Sequence, residues 1–247
     1  MNLIKKFIRL FPGGIRLTDA ISYRRRRSRR LERIGNIEDR FTYIYEANRW
    51  KNEESRSGVG STIANTRNLR KELPHLIQNY GFETLLDAPC GDFNWFRLVE
   101  RPAGLKYIGG EIVKALVDRL QESYGDKQTS FVHLDVTKDP LPKASIWMCR
   151  DCLFHLSSDD IFAATKNFLA SDIPYLLTST HQGCTENIEI PTGHFRLLNL
   201  ELPPYSFPKP LLYIDDSGDG FPPKHLGLWP REALLGWSQD SETGTGK

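Results

Sequence analysis

Five short apolar runs, each closed by a polar residue, constrain this chain more than any other feature. They are ETLLDA from Glu83, LKYIGGEI from Leu105, TSFVHLDV from Thr129, ASIWMCRD from Ala144 and PYLLTST from Pro174. Runs of this length read as buried strands. Most are followed by helical patterns: FNWFRLVE after the first, VKALVDRLQESYG after the second and SDDIFAATKNFLA after the fourth. A further helix is expected before the first run, where Leu69, Leu73, Leu76, Ile77 and Tyr80 recur at helical spacing and Gly81 ends the pattern. Strands joined through helices must run parallel, because antiparallel neighbours need only a tight turn. The pattern therefore implies an α/β fold, doubly wound, with helices on both faces of a mostly parallel sheet. Beyond residue 182 the chain has strand-like runs broken by Pro and Gly with no helix between them, which predicts an antiparallel C-terminal edge.

At 247 residues the chain is long enough for one substantial core and short for two. Its net charge of +2 hides an asymmetry: residues 1–33 hold eleven Lys or Arg against Asp19 and Glu32, leaving −7 for the rest. We divide the chain into a basic N-terminal arm over 1–42, a domain over 43–237 and a polar tail over 238–247. Within the arm, Leu3, Ile4, Phe7, Ile8 and Phe11 follow a helical period before Pro12-Gly13-Gly14, and SYRRRRSRRLER follows. Such a segment could lie on an anionic membrane surface, attract nucleic acid, or pack on the body with its arginines in solvent. The acidic body argues against a nucleic-acid groove in the domain itself. No signal-peptide pattern is present, and four cysteines fit reduced thiols better than a disulfide framework. The expected location is cytoplasmic, with peripheral attachment to the inner face of the membrane as a further option.

Ligands of doubly wound sheets lie at the carboxyl ends of strands. Here those ends carry Asp87, Glu111, Asp135 and Arg150-Asp151. The turn after the first strand, DAPCGDF, has one glycine and lacks G-x-G-x-x-G, and no G-x-x-x-x-G-K-[ST] string occurs. Asp92 would also repel a pyrophosphate. A cofactor without phosphates, zwitterionic or cationic and bearing a ribose and an adenine, fits better.

These residues resemble the motifs of class I S-adenosylmethionine-dependent methyltransferases. LLDAPCGDFNW keeps the acidic Asp87, small Ala88 and central Gly91 of the first motif, with Pro89 and Phe93 where glycines are common. Glu111 ends the second strand, where the family's acid takes the ribose hydroxyls. Asp135, followed by Val136, ends the third, where the family meets the adenine. WMCRDCLFHLS resembles the fourth-strand motif, including the Cys-Arg-Asn run of chemotaxis-receptor methyltransferases, with Asp151 at the Asn. The SRSGVGS…LLDAPCGDFNW…CRDCLFHL skeleton is similar to a bacterial subgroup of the family. The resemblance implies a Rossmann-like, seven-stranded sheet and S-adenosyl-L-methionine as cofactor, bound by Asp87, Ala88, Cys90, Gly91, Glu111, Asp135, Val136, Arg150 and Asp151. Asp87 would orient loop N–H groups or meet the methionine ammonium.

Methylating a hydroxyl requires a positioned acceptor and a base. The candidates are His155 and Asp151 after the fourth strand, and His181 after the fifth. His155 could equally be a helix-start histidine bonded to a backbone carbonyl, and Asp151 a carboxylate that orients the cofactor. In NRWKNEESRSGVGST, Trp50 could stack on a sugar or cover the sulfonium, and Ser57 and Gly58 could offer N–H groups to an anion. The same stretch also reads as a capped helix start with Trp50 in ordinary packing. Cys149 and Cys152 form a C-x-x-C, but no second pair completes a zinc site, so buried thiols and no metal are expected. No Asn/Asp-Pro-Pro-Tyr run follows the fourth strand, which lowers methylation of nucleobase nitrogens. The expected acceptor is a small-molecule or glycan-type hydroxyl. Protein or nucleic-acid methylation aided by the arm, and a non-catalytic binding module, are the alternatives.

Overall fold

The computed structural model describes residues 31–218 and 222–236, and the expectations for residues 1–30 and for the tail lie outside them. Seven strands form one sheet: β1 (Thr84–Asp87), β2 (Lys106–Glu111), β3 (Thr129–His133), β4 (Ile146–Cys149), β5 (Tyr175–Thr180), β6 (Leu212–Asp215) and β7 (His225–Pro230). Their order is β3-β2-β1-β4-β5-β7-β6. The first five pair in parallel, while β7 runs antiparallel to both β5 and β6. The expected doubly wound sheet with an antiparallel C-terminal edge is present. Strand order reverses between β1 and β4, which opens a crevice at their carboxyl ends.

Among the described residues, the longer helices flanking the sheet are α1 (Ile37–Glu46), α2 (Arg67–Tyr80), α3 (Lys114–Tyr124) and α4 (Ser158–Ala170). Their ends follow local chemistry. Asn36 caps α1 by accepting the Asp39 N–H, and Ser157 caps α4 by accepting that of Asp160. Gly81 closes α2 in the left-handed region at φ 64°. In α2 the buried residues are Leu69, Leu73, Leu76 and Ile77, one face of a 3.6-residue period.

Alternation along the strands divides the core in two. Leu85 of β1, Ile146 and Met148 of β4 and Leu177 of β5 face the cluster that includes α2 and α3. Leu86, Trp147, Cys149 and Leu176 face the opposite cluster, with Ile161, Ala164 and Phe168 of α4. All four residues of β4 are buried, which is why this strand reads as an unbroken apolar run.

Three features depart from expectation. FNWFRLVE contains only a 3-10 turn at Phe96–Leu98. Phe93 sits at φ 59°, outside helical space, with its ring 5.1 Å from both Tyr107 and Phe131, so burial of the aromatics wins over helix formation. Second, α1 crosses residue 42, the expected edge of the basic arm, and buries Ile44, with Leu31 also buried. The folded body therefore reaches back to at least residue 31. Third, most of 182–211 is irregular rather than strand. Arg196 holds it, donating 2.7 Å hydrogen bonds to the carbonyls of Ile188 and Leu156. No helix among the described residues is long and apolar enough to cross a membrane.

Candidate active site

Two cavities open at the carboxyl ends of β1, β2 and β4. The first is lined by Asp87, Cys90, Gly91, Glu111, Asp135, Val136 and Arg150, with Ile37, Phe41 and Tyr45 of α1 over it. It measures about 100 Å3, tighter than the roughly 300–1,000 Å3 usual for ligand pockets. The three strand-end acids, Asp87, Glu111 and Asp135, line one cavity. Ala88 is not part of the lining: it is fully buried, and its carbonyl accepts the Trp147 indole N–H at 2.9 Å.

Each acid has a different employment. Asp87 accepts a hydrogen bond from the Tyr107 hydroxyl at 2.7 Å and none from the loop, so orienting loop N–H groups is not its role. Burial pushes its pKa up to about 7 against the opposing pull of Tyr107 and Arg150. Glu111 is the acid that holds the loop. It accepts the N–H groups of Gly91 at 3.1 Å, Ile112 at 2.9 Å and Val113 at 3.1 Å. Burial raises the Glu111 pKa, opposed by these three donors. Its carboxylate takes the N–H groups of the two residues that lead into α3, Ile112 and the cap Val113. With three of about four acceptor sites in use, Glu111 keeps room for one further hydroxyl. Asp135 accepts from the Thr137 N–H and hydroxyl and pairs with Lys138 at 3.2 Å.

The loop over 50–61 borders this cavity and the second, through Trp50 and Ser57. Asp92 is turned away from any ligand and ties the loop down, accepting the Ser55 hydroxyl at 2.9 Å and the Arg56 N–H at 2.8 Å. Ser57 returns the contact by accepting the Asp92 N–H. A side chain at Gly91, which lies at φ +57°, would collide with the Ser57 hydroxyl. A Cβ at Gly60 would lie 2.6 Å from the Asp151 carboxylate. The N–H groups of Ser57 and Gly58 are already bonded within the loop, to the Ser55 hydroxyl and carbonyl. They are not donors for an anion; what the segment offers is surface.

The second cavity is larger, about 920 Å3, and shares Trp50, Ser57, Arg150, Asp151 and His155 with the first. Asp151, at φ 51°, stands on the wall between them. Its carboxylate bonds to the Lys224 ammonium and the Ser179 hydroxyl and lies 3.5 Å from Arg150. Asp216 completes the wall, 2.9 Å from both Arg150 and Lys224. Two cations and two carboxylates neutralise one another in a buried network, the arrangement in which buried charge is tolerable. Burial would raise the Asp151 pKa, but Arg150 and Lys224 hold it well below the usual carboxylate range. Asp151 is thus a weak base, and the structure corrects its candidacy for that role.

The two histidines are better placed. The His155 Nδ1 lies 2.7 Å from the His194 carbonyl, so it carries the proton and leaves Nε2 with the lone pair. The bond to a backbone carbonyl expected of His155 is present, and it fixes the orientation of Nε2. Burial lowers its pKa, partly offset by that bond. The His181 Nδ1 accepts the Leu198 N–H at 3.3 Å, so in the neutral ring Nε2 carries the proton. Burial lowers this pKa as well, with help from Lys224. Asp216, Lys224, Phe154 and Phe195 were not foreseen at the site. Cys149 and Cys152 are buried free thiols. Among the described residues no group of His, Cys, Asp or Glu is arranged to hold a metal ion.

No family model matches this chain, and no curated protein matches it in sequence. Solved structures match it in three dimensions. The Burkholderia thailandensis 1,6-didemethyltoxoflavin-N1-methyltransferase, with bound 1,6-didemethyltoxoflavin and S-adenosylhomocysteine, superposes with a TM-score of 0.56 at 15% identity, over 78% of this chain and 86% of that one. Magnesium protoporphyrin IX methyltransferase from Synechocystis PCC 6803, with bound S-adenosylmethionine, gives 0.52 at 14% identity, over 81% and 99%. Human N-acetylserotonin methyltransferase in complex with S-adenosylmethionine gives 0.55 at 13%, over 76% of this chain and 57% of the human one. At such identities the likeness is one of architecture, and the chain has the Rossmann-like fold that these methyltransferases share.

Proposed function

We propose that the chain is an S-adenosylmethionine-dependent methyltransferase that methylates a hydroxyl of a small-molecule or glycan-type acceptor. The observation that carries this reading is the set of acids in the first cavity, with Glu111 holding the Gly91, Ile112 and Val113 N–H groups around it. A carboxylate-lined cavity suits a nucleoside that bears an amino acid instead of a pyrophosphate.

In this reading Asp87 faces the ammonium, Glu111 takes a ribose hydroxyl, and Asp135 meets the adenine amine with Val136 beside the ring. Cys90 and Gly91 line the same cavity, and Gly91 lets the backbone come close. When bound, S-adenosylmethionine supplies an electrophilic methyl on a positive sulfur. The protein then has to position the acceptor, exclude water and remove a proton. His155 Nε2 accepts the hydroxyl proton, since its Nδ1 proton is committed to the His194 carbonyl. Trp50 borders both cavities and lies 5.7 Å from the His155 ring, where it shields the junction from solvent.

Calorimetry tests the proposal with S-adenosylhomocysteine and NAD as competing candidates. The expected result is binding of the first and none of the second; a wild-type chain that ignores S-adenosylhomocysteine overturns the reading. A screen of hydroxyl acceptors that follows S-adenosylhomocysteine release separates an enzyme from a module that only binds.

A further inference from the structure

The lining of the second cavity restricts what can enter it. Five rings meet there in sequence: Trp50 to His155 at 5.7 Å, His155 to Phe154 at 4.6 Å, Phe154 to His181 at 5.4 Å, and Phe195 within 6.4 Å of Phe154, His155 and His181, with the Lys224 ammonium 6.0 Å from the Phe154 ring. Edge-to-face arrays of this kind accept another flat ring with little rearrangement.

Most polar groups of the wall are already spent. Arg150, Asp151, Asp216 and Lys224 satisfy one another. The Ser57 hydroxyl accepts the Asp92 N–H, and the Asn65 amide donates to the Val59 carbonyl. A sugar ring would leave most of its hydroxyls without partners here, at a cost for each one buried. The two histidine Nε2 atoms are the exception. Backbone partners on the Nδ1 side fix them in opposite tautomers, one accepting and one donating. Such a pair suits two adjacent oxygens, a hydroxyl for His155 and an acceptor oxygen for His181.

Charge adds a third restriction. The cavity is lined by Arg49, Lys51, Arg150 and Lys224 against Asp151 and Asp216, an excess of two positive charges in a body that is otherwise acidic. Of the two cations outside the quartet, both beside Trp50, Arg49 has its guanidinium 5.6 Å from the Tyr43 ring centroid, and Lys51 is the one that faces a ligand. Among the described residues no carboxylate forms an ion pair with Lys51. Positive lining of this kind concentrates and orients an oxyanion.

Building on the methyltransferase reading, we propose that the acceptor is an anionic aromatic compound with two adjacent ring oxygens, one of which is methylated. The hydroxyl to be methylated sits at His155, the neighbouring oxygen at His181, and the carboxylate or phosphate toward Lys51.

Calorimetry on the full chain saturated with S-adenosylhomocysteine tests this with 3,4-dihydroxybenzoate, its methyl ester, 4-hydroxybenzoate, 3,4-dihydroxyphenyl phosphate, glucuronate and glucose 6-phosphate. We expect 3,4-dihydroxybenzoate to bind at least about tenfold more tightly than its ester and than 4-hydroxybenzoate. The phosphate compound distinguishes the two kinds of oxyanion by which of the pair binds more tightly. Lys51→Gln should narrow the gap between acid and ester, and His181→Phe the gap between the dihydroxy and monohydroxy acids, with S-adenosylhomocysteine affinity held in both variants. Equal binding of acid and ester, or tighter binding of either sugar, overturns the inference and leaves the cofactor reading intact. Failure of S-adenosylhomocysteine to bind at the first step overturns the cofactor reading instead.

Discussion

The two cavities share a wall and differ in almost everything else. The first is tight, lined by acids, and built from backbone geometry at the ends of β1 and β2. The second is about nine times larger, lined by rings and cations, and built from loops far apart in sequence. What separates them is a neutralised quartet, Arg150, Asp151, Asp216 and Lys224, in which each charge is matched. The difference shows where the fold does the work and where side chains do. Strand ends dictate the first cavity, so it can recognise only what the sheet presents. The second depends on which side chains the loops bring, so it is the part free to change its ligand.

The comparison can be broken at either cavity. The largest effect is expected at the junction: His155→Phe keeps a ring in place and removes the base, so kcat/KM should fall by about 10²- to 10⁴-fold. Binding of S-adenosylhomocysteine should change little. Because burial lowers the His155 pKa, the acid limb of the wild-type profile should lie below the ordinary histidine value of about 6.5, and the variant should lose that limb. Unchanged turnover in His155→Phe would remove this residue from the chemistry.

In the first cavity, Glu111→Ala takes away both a ligand contact and the anchor of the Gly91 N–H. Its affinity for S-adenosylhomocysteine should drop by about 100-fold in calorimetry, the sum of two lost charge-assisted bonds. Unchanged affinity would dissociate the acid from the cofactor.

Trp50→Ala should weaken ring ligands in the second cavity by about tenfold while lowering Tm by only a few degrees. The reverse pattern, a large Tm loss with unchanged affinity, would make Trp50 a packing residue.

The smallest effect is a slope. Burial raises the Asp87 pKa to about 7, above the 3.8 of an unfolded chain. The folded state therefore holds this proton more tightly, and the stabilisation is complete below about pH 4 and lost as pH rises through 7. Asp87→Asn should flatten that part of the stability curve in urea titrations between pH 4 and 8. An unchanged slope would show that Asp87 ionises normally.

Much of the first cavity was legible because its determinants are local. Each acid follows directly on an apolar strand, and IWMC reads as a central strand because both of its faces are covered. The helix expected at FNWFRLVE was not legible, since the pull on Phe93 comes from Tyr107 and Phe131, rings on neighbouring strands. The edge of the basic arm was misplaced for a similar reason. The residues of α1 gain their burial from the body, which local charge does not reveal. The second cavity was the least legible. His155 and His181 stand out after strands, but Lys224 meets Asp151 across 73 residues and Asp216 meets Arg150 across 66. The segment over 182–211 has no period of 2 or 3.6, because side chains such as Arg196 and Asn187 bind its backbone in place of a ladder.

Helix α1 contributes Ile37, Phe41 and Tyr45 to the roof of the tight cavity, and the chain reaches that roof directly from its arginine-rich beginning. Anything that grips those arginines would act, through a covalent tether only a few residues long, next to the side chains that close this cavity.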